Sequence, residues 1–497
     1  MGQPDLDEMQ WIADAHADET VAAIVGPWPE APMRAQAAPL AATAEAAAAD
    51  PDTAARLRRI DDLNAAVRNW QDNAGVRAWR ADSQQITAGI GKPLQAYVTA
   101  AGPLPDWADP DRILRAQALF MDYGALSVTM LFCASLPECY VVPDLAAVLH
   151  ATGQLEERAE HRIRATGAMV FPVMMLGGLT KDDGAGIAQI LKVRLIHATV
   201  RNLILRDSPD VAVARMRFAD AAEFSGLIPP LATVQPGDSM SSALHAMGWD
   251  LKRFALPNNQ EELAYTLLTF SYVFLRSLRR LGIPLKPEQE LDYLHAWNVA
   301  GHFLGIRREL MVETMDEAAE LFARMQARGR EDWAKRPTAI DPRPRLGGAL
   351  MDAMESVIPD GPFKKFPVLL TRRLLEPASS RDLGLDGRVS LVSRFLFSAL
   401  MLTARGIDAL VRLAFPDFSL SRLITRVIGY RLMCALLMSQ TRDLSVPAQL
   451  RPGIRALIAG WGLDSKAPNW VNALEDRLTT RGDWQAIART PPDAGKA

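Results

Sequence analysis

The chain has 497 residues, more than a single hydrophobic core usually serves, and its 49% apolar and 23% charged residues exclude a disordered or collagen-like polymer. A net charge of −3, with no Lys/Arg block interleaved with aromatics, argues against nucleic acid as a partner. The three cysteines, Cys133, Cys139 and Cys434, have neither CxxC nor zinc-type spacing, which removes a disulfide framework and a thiolate metal site and fits a reducing compartment.

The N-terminal stretch MGQPDLDEMQWIADAHADETV lacks the basic start, apolar run and small-residue cleavage site of a secretory signal, so a cytoplasmic protein is expected. Residues 31–55 are dominated by alanine with scattered prolines and offer little large apolar surface, so residues 1–55 are expected to be a weakly ordered appendage. From residue 56 onward apolar residues recur at helical spacing and strict alternation is scarce. The predicted fold class is all-α: a large multi-helix domain over 56–340, whose core can be globin-like, and a C-terminal helical subdomain over 341–485 packed on it. A proline-broken connector, TAIDPRPRLGG, separates the two, and a flexible tail of 486–497 ends the chain.

Within this frame, Asp109 and Pro110 predict a helix start and Gly153 a helix stop. The runs 123–137 and 395–415 are the most apolar, but the first is too short to span a bilayer and the second carries Arg405, Asp408 and Arg412, so no transmembrane segment is expected. The segment LGGLTKDDGAG (176–186) predicts a loop between two helical runs, and 229–237 another. The segment 248–282 predicts a polar PNNQEE cap followed by one long amphipathic helix ending in basic residues and glycine.

No GxSxG elbow, Walker loop, HExxH or GxGxxG occurs, and a di-iron bundle is represented only by the single pair Asp292 and His295. What remains is KVRLIHATVRNLIL (192–205), where His197 lies in an apolar helix with Arg194 three before and Arg201 four after, on one face. A neutral imidazole on a rigid helix suits a proximal haem ligand, and arginines one turn away suit the propionates. The alternative, favoured for an arbitrary helix, is a hydrogen-bonded core histidine beside a salt-bridged arginine face. Arg162 and Thr166 share a face of the preceding helix and suit either a distal pocket or a surface arginine with a back-bonding threonine. His295 and His302, seven apart, face either a pocket or the core.

Taken in order, SLPECY, VLHATGQL, the helix with Arg162 and Thr166, VRLIHATVR, PNNQEELAYTLLTFS with SLRRLG, and AWNVAGHFLGI resemble the motif skeleton of the MpaB and rubber-oxygenase (latex clearing protein) family over roughly residues 105–310. The resemblance implies a b-type haem held by His197, with Arg194 and Arg201 on the cofactor and Arg162 and Thr166 in the distal pocket. The family's distal lysine is replaced by Ala165, and its distal glutamate has three candidates, Glu138, Glu156 and Glu157. With dioxygen as co-substrate, the expected activity is oxidation of a hydrophobic, alkene-containing or isoprenoid-like small molecule. Polyisoprene itself is not expected, because its degraders are exported. Two rivals stand beside this reading: a haem-binding or gas-sensing protein without turnover, and a cofactor-free helical scaffold whose C-terminal helices bind a partner or membrane surface.

Overall fold

The structure, a computed structural model, describes residues 4–411 apart from 30–39, 84–85, 144, 146–147, 149–158, 219–223, 236, 284, 336–340, 357, 359 and 388. The predicted stop at Gly153 and the tail 486–497 lie outside the described residues.

The principal helices in chain order are α1 (Ala15–Val25), α2 (Pro51–Arg68), α3 (Asn73–Arg77), α4 (Gly91–Ala101), α5 (Pro110–Tyr123), α6 (Ala159–Met174), α7 (Gly186–Leu205) and α8 (Met240–Ala246). They continue as α9 (Gln260–Phe270), α10 (Tyr272–Leu281), α11 (Pro287–Phe303), α12 (Met315–Ala334), α13 (Arg343–Ser356), α14 (Phe366–Leu374) and α15 (Leu391–Val411). The protein is all-α, and the strand pairing among the described residues is one two-residue antiparallel ribbon, Leu227–Ile228 (β1) with Trp249–Asp250 (β2).

Local chemistry explains where the helices begin and end. Asp109 caps α5, Pro110 occupies its first turn, and Gly124, at φ 50°, ends it. Thr314 and Glu317 form a reciprocal capping box at the start of α12. Asn259 caps α9 within the PNNQEE segment, and the long helix expected there is interrupted for one residue, Ser271, a turn at ψ −75° between α9 and α10. Periodicity continues across the break, which is why the sequence does not reveal it.

At the centre, α7 packs against α1, α6, α8 and α11, while α5 lies along α11. The first 55 residues differ from expectation. Helix α1 buries Ala17, Val21, Ile24 and Val25 in the same core as α7, and Asp14 and Asp18 find arginine partners there. Beyond residue 340, α13 packs on α6, and Arg343 donates to the Val141 carbonyl at 3.3 Å and faces Asp382 at 3.5 Å. Among the described residues no single helix is long and apolar enough to cross a membrane.

Candidate functional site

The site is built on α7. Ala185 stands at its N-cap position without a capping side chain. Asn73, at the start of α3, supplies the cap from a distance. Its Oδ1 accepts from the Ile187 and Ala188 N–H groups at 3.0 and 3.3 Å, and its Nδ2 donates to the carbonyls of Gly178 and Lys181 at 2.9 and 2.8 Å. One buried side chain thereby satisfies two of the N–H groups that a helix start leaves unpaired and pins the preceding loop. That loop needs its glycines: a Cβ at position 178 would overlap the Pro172 carbonyl. The predicted glycine-rich loop is therefore a tight connection between α6 and α7.

Two flanks of α7 meet at His197. On one flank Arg194 donates through Nε and Nη2 to the Asp14 carboxylate at 2.5 and 2.8 Å and through Nη1 to the Phe303 carbonyl at 3.3 Å, with its guanidinium over the Tyr97 ring. Arg201, wholly buried, donates through Nε to Asp18 at 2.8 Å and through Nη1 to the Asn258 carbonyl at 2.9 Å. Burial pushes the Asp18 carboxyl up to about 6 and the neighbouring Asp14 adds to this, while Arg201 pulls it down. Tyr97 adds a further tie, its hydroxyl donating to the Leu191 carbonyl at 2.9 Å. Of the two readings open for Arg194 and Arg201, the salt-bridged face is the arrangement observed. Carboxylates of α1 and its cap meet both charges, while the buried Nη2 of Arg201 has no hydrogen-bond partner among the described residues.

The other flank is apolar. Val193 and Val200 are half-buried beside His197 on the helical wheel, and Ile196 beyond them is 49% exposed. His197 itself is half-buried, with Nδ1 shielded from solvent. Helix α6 packs against α7 and carries Thr166, which is buried, next to half-buried Ala165, Ala168 and Met169. The structure thus brings the helices of Thr166 and His197 together. The side chain of Arg162, and Glu156 and Glu157, lie outside the described residues.

The remaining sequence candidates have structural duties. Glu138 is wholly buried, with Arg276 at 2.5 Å on one carboxylate oxygen and Gln326 at 2.8 Å on the other. Its carboxylate is anchored between α10 and α12. Asp292 is clamped by Arg112 and Arg115 at 3.0 and 2.6 Å, and His295 accepts the Asp109 N–H at 2.9 Å, so this pair joins α11 to the start of α5. His302 is exposed and meets Trp107 edge-on. Among the described residues no three His, Cys, Asp or Glu side chains converge as metal ligands. A single imidazole beside an apolar stripe is a donor set that fits an axial ligand of a porphyrin iron. Asn73, Asp14 and Asp18 are the residues that sequence reasoning missed. The usable signal was Asp14 as a helix cap with Asp18 one turn later, matching arginines two turns apart on α7.

Comparison with known proteins bears on the fold and the family. The structure titled latex clearing protein LCP in the closed state matches 88% of this chain and 93% of its own, with a TM-score of 0.53 at 16% identity, which shows a shared fold. The rubber oxygenase of Streptomyces sp. (strain K30) is 21% identical over 248 residues, 50% of this chain and 51% of the relative. The chain thus spans about half the length of that curated relative. The family described as the catalytic domain of ER-bound oxygenase mpaB/B' and rubber oxygenase matches residues 117–406, more than half the chain, and this protein therefore belongs to that family of oxygenases.

Proposed function

We propose that the chain is a haem b-dependent oxygenase, an oxidoreductase of the cytoplasm, with His197 as the proximal iron ligand, dioxygen as co-substrate, and a hydrophobic alkene-containing or isoprenoid-like small molecule as substrate. The observation that supports this reading is a half-buried imidazole on a helix capped and strapped from outside, bordered by Val193, Val200 and Ile196. When bound, haem supplies the dioxygen and electron chemistry that no side chain in this set provides.

The chain's own contribution is orientation and dryness. The Asn73 cap and the two aspartate–arginine pairs fix the height and rotation of α7, and with them the His197 ring. In this assignment Arg194 and Arg201 serve the cofactor indirectly, by holding the helix of its ligand. The valines and isoleucine offer an apolar surface that would favour an apolar substrate. Thr166, with Arg162 from the same helix, would supply hydrogen bonds to a ligand of the haem.

The test is an ultraviolet-visible spectrum of the full chain expressed with haem precursor, in ferric, reduced and carbon-monoxide forms, beside His197→Ala, with pyridine haemochrome quantification. A Soret band that disappears in the variant, followed by oxygen uptake with isoprenoid alkenes, is the expected result. A colourless wild type despite ample precursor overturns the haem reading, and an unchanged variant spectrum overturns the assignment of His197.

A further inference from the structure

Helix α15 is apolar on the side that faces away from the protein. It rests on the body through a narrow line, Ser393, Phe397 and Met401, four residues apart, with Phe397 edge-on to Phe366 of the segment that becomes α14. Leu391, Phe395, Leu402 and Leu410 are 78%, 72%, 71% and 70% exposed, and on the wheel Leu391, Phe395 and Leu402 fall opposite the buried line. A surface helix normally puts polar groups there; this one presents a contiguous apolar stripe.

The edge of the stripe is basic. Arg394 and Arg405, three turns apart, lie exposed between the buried line and the apolar face. They crowd two further arginines of α14: the positive charge of Arg394 bears on Arg372 and that of Arg405 on Arg373, with Asp386 beside Arg372 as an offsetting carboxylate. The buried Nε atoms of Arg372 and Arg373 have no hydrogen-bond partner among the described residues. In a chain whose net charge is −3, this is a local excess of cations that costs energy and invites anions. A second copy of the same face would bring arginines against arginines, which disfavours self-association through it.

We propose that the outward face of α15 docks on an anionic lipid bilayer, with Leu391, Phe395, Leu402 and Leu410 entering the boundary between headgroups and acyl chains and Arg394 and Arg405 meeting lipid phosphates. The helix lies in the plane of the interface; its arginines and Asp408 oppose spanning. The inference stands on α15 and α14 alone and is independent of haem.

The test is co-sedimentation of the full chain with vesicles of phosphatidylcholine alone or mixed with phosphatidylserine, across a range of salt. Binding to the anionic vesicles is expected, falling with salt, and weaker by about tenfold or more in the double variant Phe395→Gln, Leu402→Gln and in Arg394→Ala, Arg405→Ala. An unchanged thermal melt in the double variant shows that the loss belongs to the surface. Three results overturn the proposal: equal or absent binding to both vesicle types; concentration-dependent dimers that the double variant abolishes; or hydrogen exchange in α15 equally slow with and without vesicles, which would mean the chain itself covers the stripe.

Discussion

Helices α7 and α15 are nearly equal in length, 20 and 21 residues, and both read in the sequence as apolar rods interrupted by arginine. Their surroundings differ completely. In α7 each of the two arginines near His197 meets a carboxylate and a backbone carbonyl, and the helix packs against α1, α3, α6, α8 and α11. In α15 the charges of the arginines bear on other arginines, and Leu391, Phe395, Leu402 and Leu410 face outward. A guanidinium in an apolar helix is therefore uninformative until its counter-charge is located: with one it locks a position, without one it marks a surface awaiting something anionic.

The largest expected effect comes from breaking the locked side. Asp18→Ala leaves Arg201 buried without its carboxylate and should cost about 3–5 kcal/mol in urea unfolding. A loss below about 1 kcal/mol would mean that α1 does not hold α7.

A smaller effect sharpens the contrast through pH. His245 on α8, packed against α7 and stacked on Trp28, is pushed down to about 4 by burial, with Arg206 adding to the depression. A histidine at 6.5 when unfolded and about 4 when folded contributes stability that is complete above 6.5 and lost as pH falls towards 4, a difference of about 3 kcal/mol by linkage. Asp18, raised from 3.8 to about 6, has the opposite sign: its contribution declines as pH rises across that interval. Melting temperature followed from pH 7 to pH 4 should therefore fall less steeply in His245→Gln than in the wild type, and an identical pair of curves would contradict the buried neutral imidazole.

The smallest effect is on the open side. Phe395→Gln and Leu402→Gln should each change stability by no more than about 0.5 kcal/mol, because neither side chain leaves a packed environment. A loss of about 2 kcal/mol or more would show that the stripe is already covered.

Local signals were legible: Asp109 with Pro110, the glycine-rich loop before α7, the Asn259 cap and the helical period itself all involve residues within a few positions of one another. His197 was legible as a position. What its flanking arginines do was not, because their partners lie 180 and 183 residues away, near the N-terminus. The alanine-dominated stretch 31–55 was extended to the whole N-terminus, although Val21, Ile24 and Val25 give α1 an apolar face of its own. The partners of Glu138 were hidden for the same reason: Arg276 and Gln326, which hold its carboxylate, lie 138 and 188 residues away.

The trans cap by Asn73 has a consequence for how the protein is made. Asn73, Asp14 and Asp18 all precede residue 117, where the family match begins, and all are needed by a helix that is completed only at Leu205. During synthesis they emerge first and must remain hydrated for on the order of ten seconds before their partners leave the ribosome. A chain started at the family boundary would possess His197 yet lack the groups that seat its helix, so the stretch that evolution marks as the catalytic unit is smaller than the one that physics must assemble.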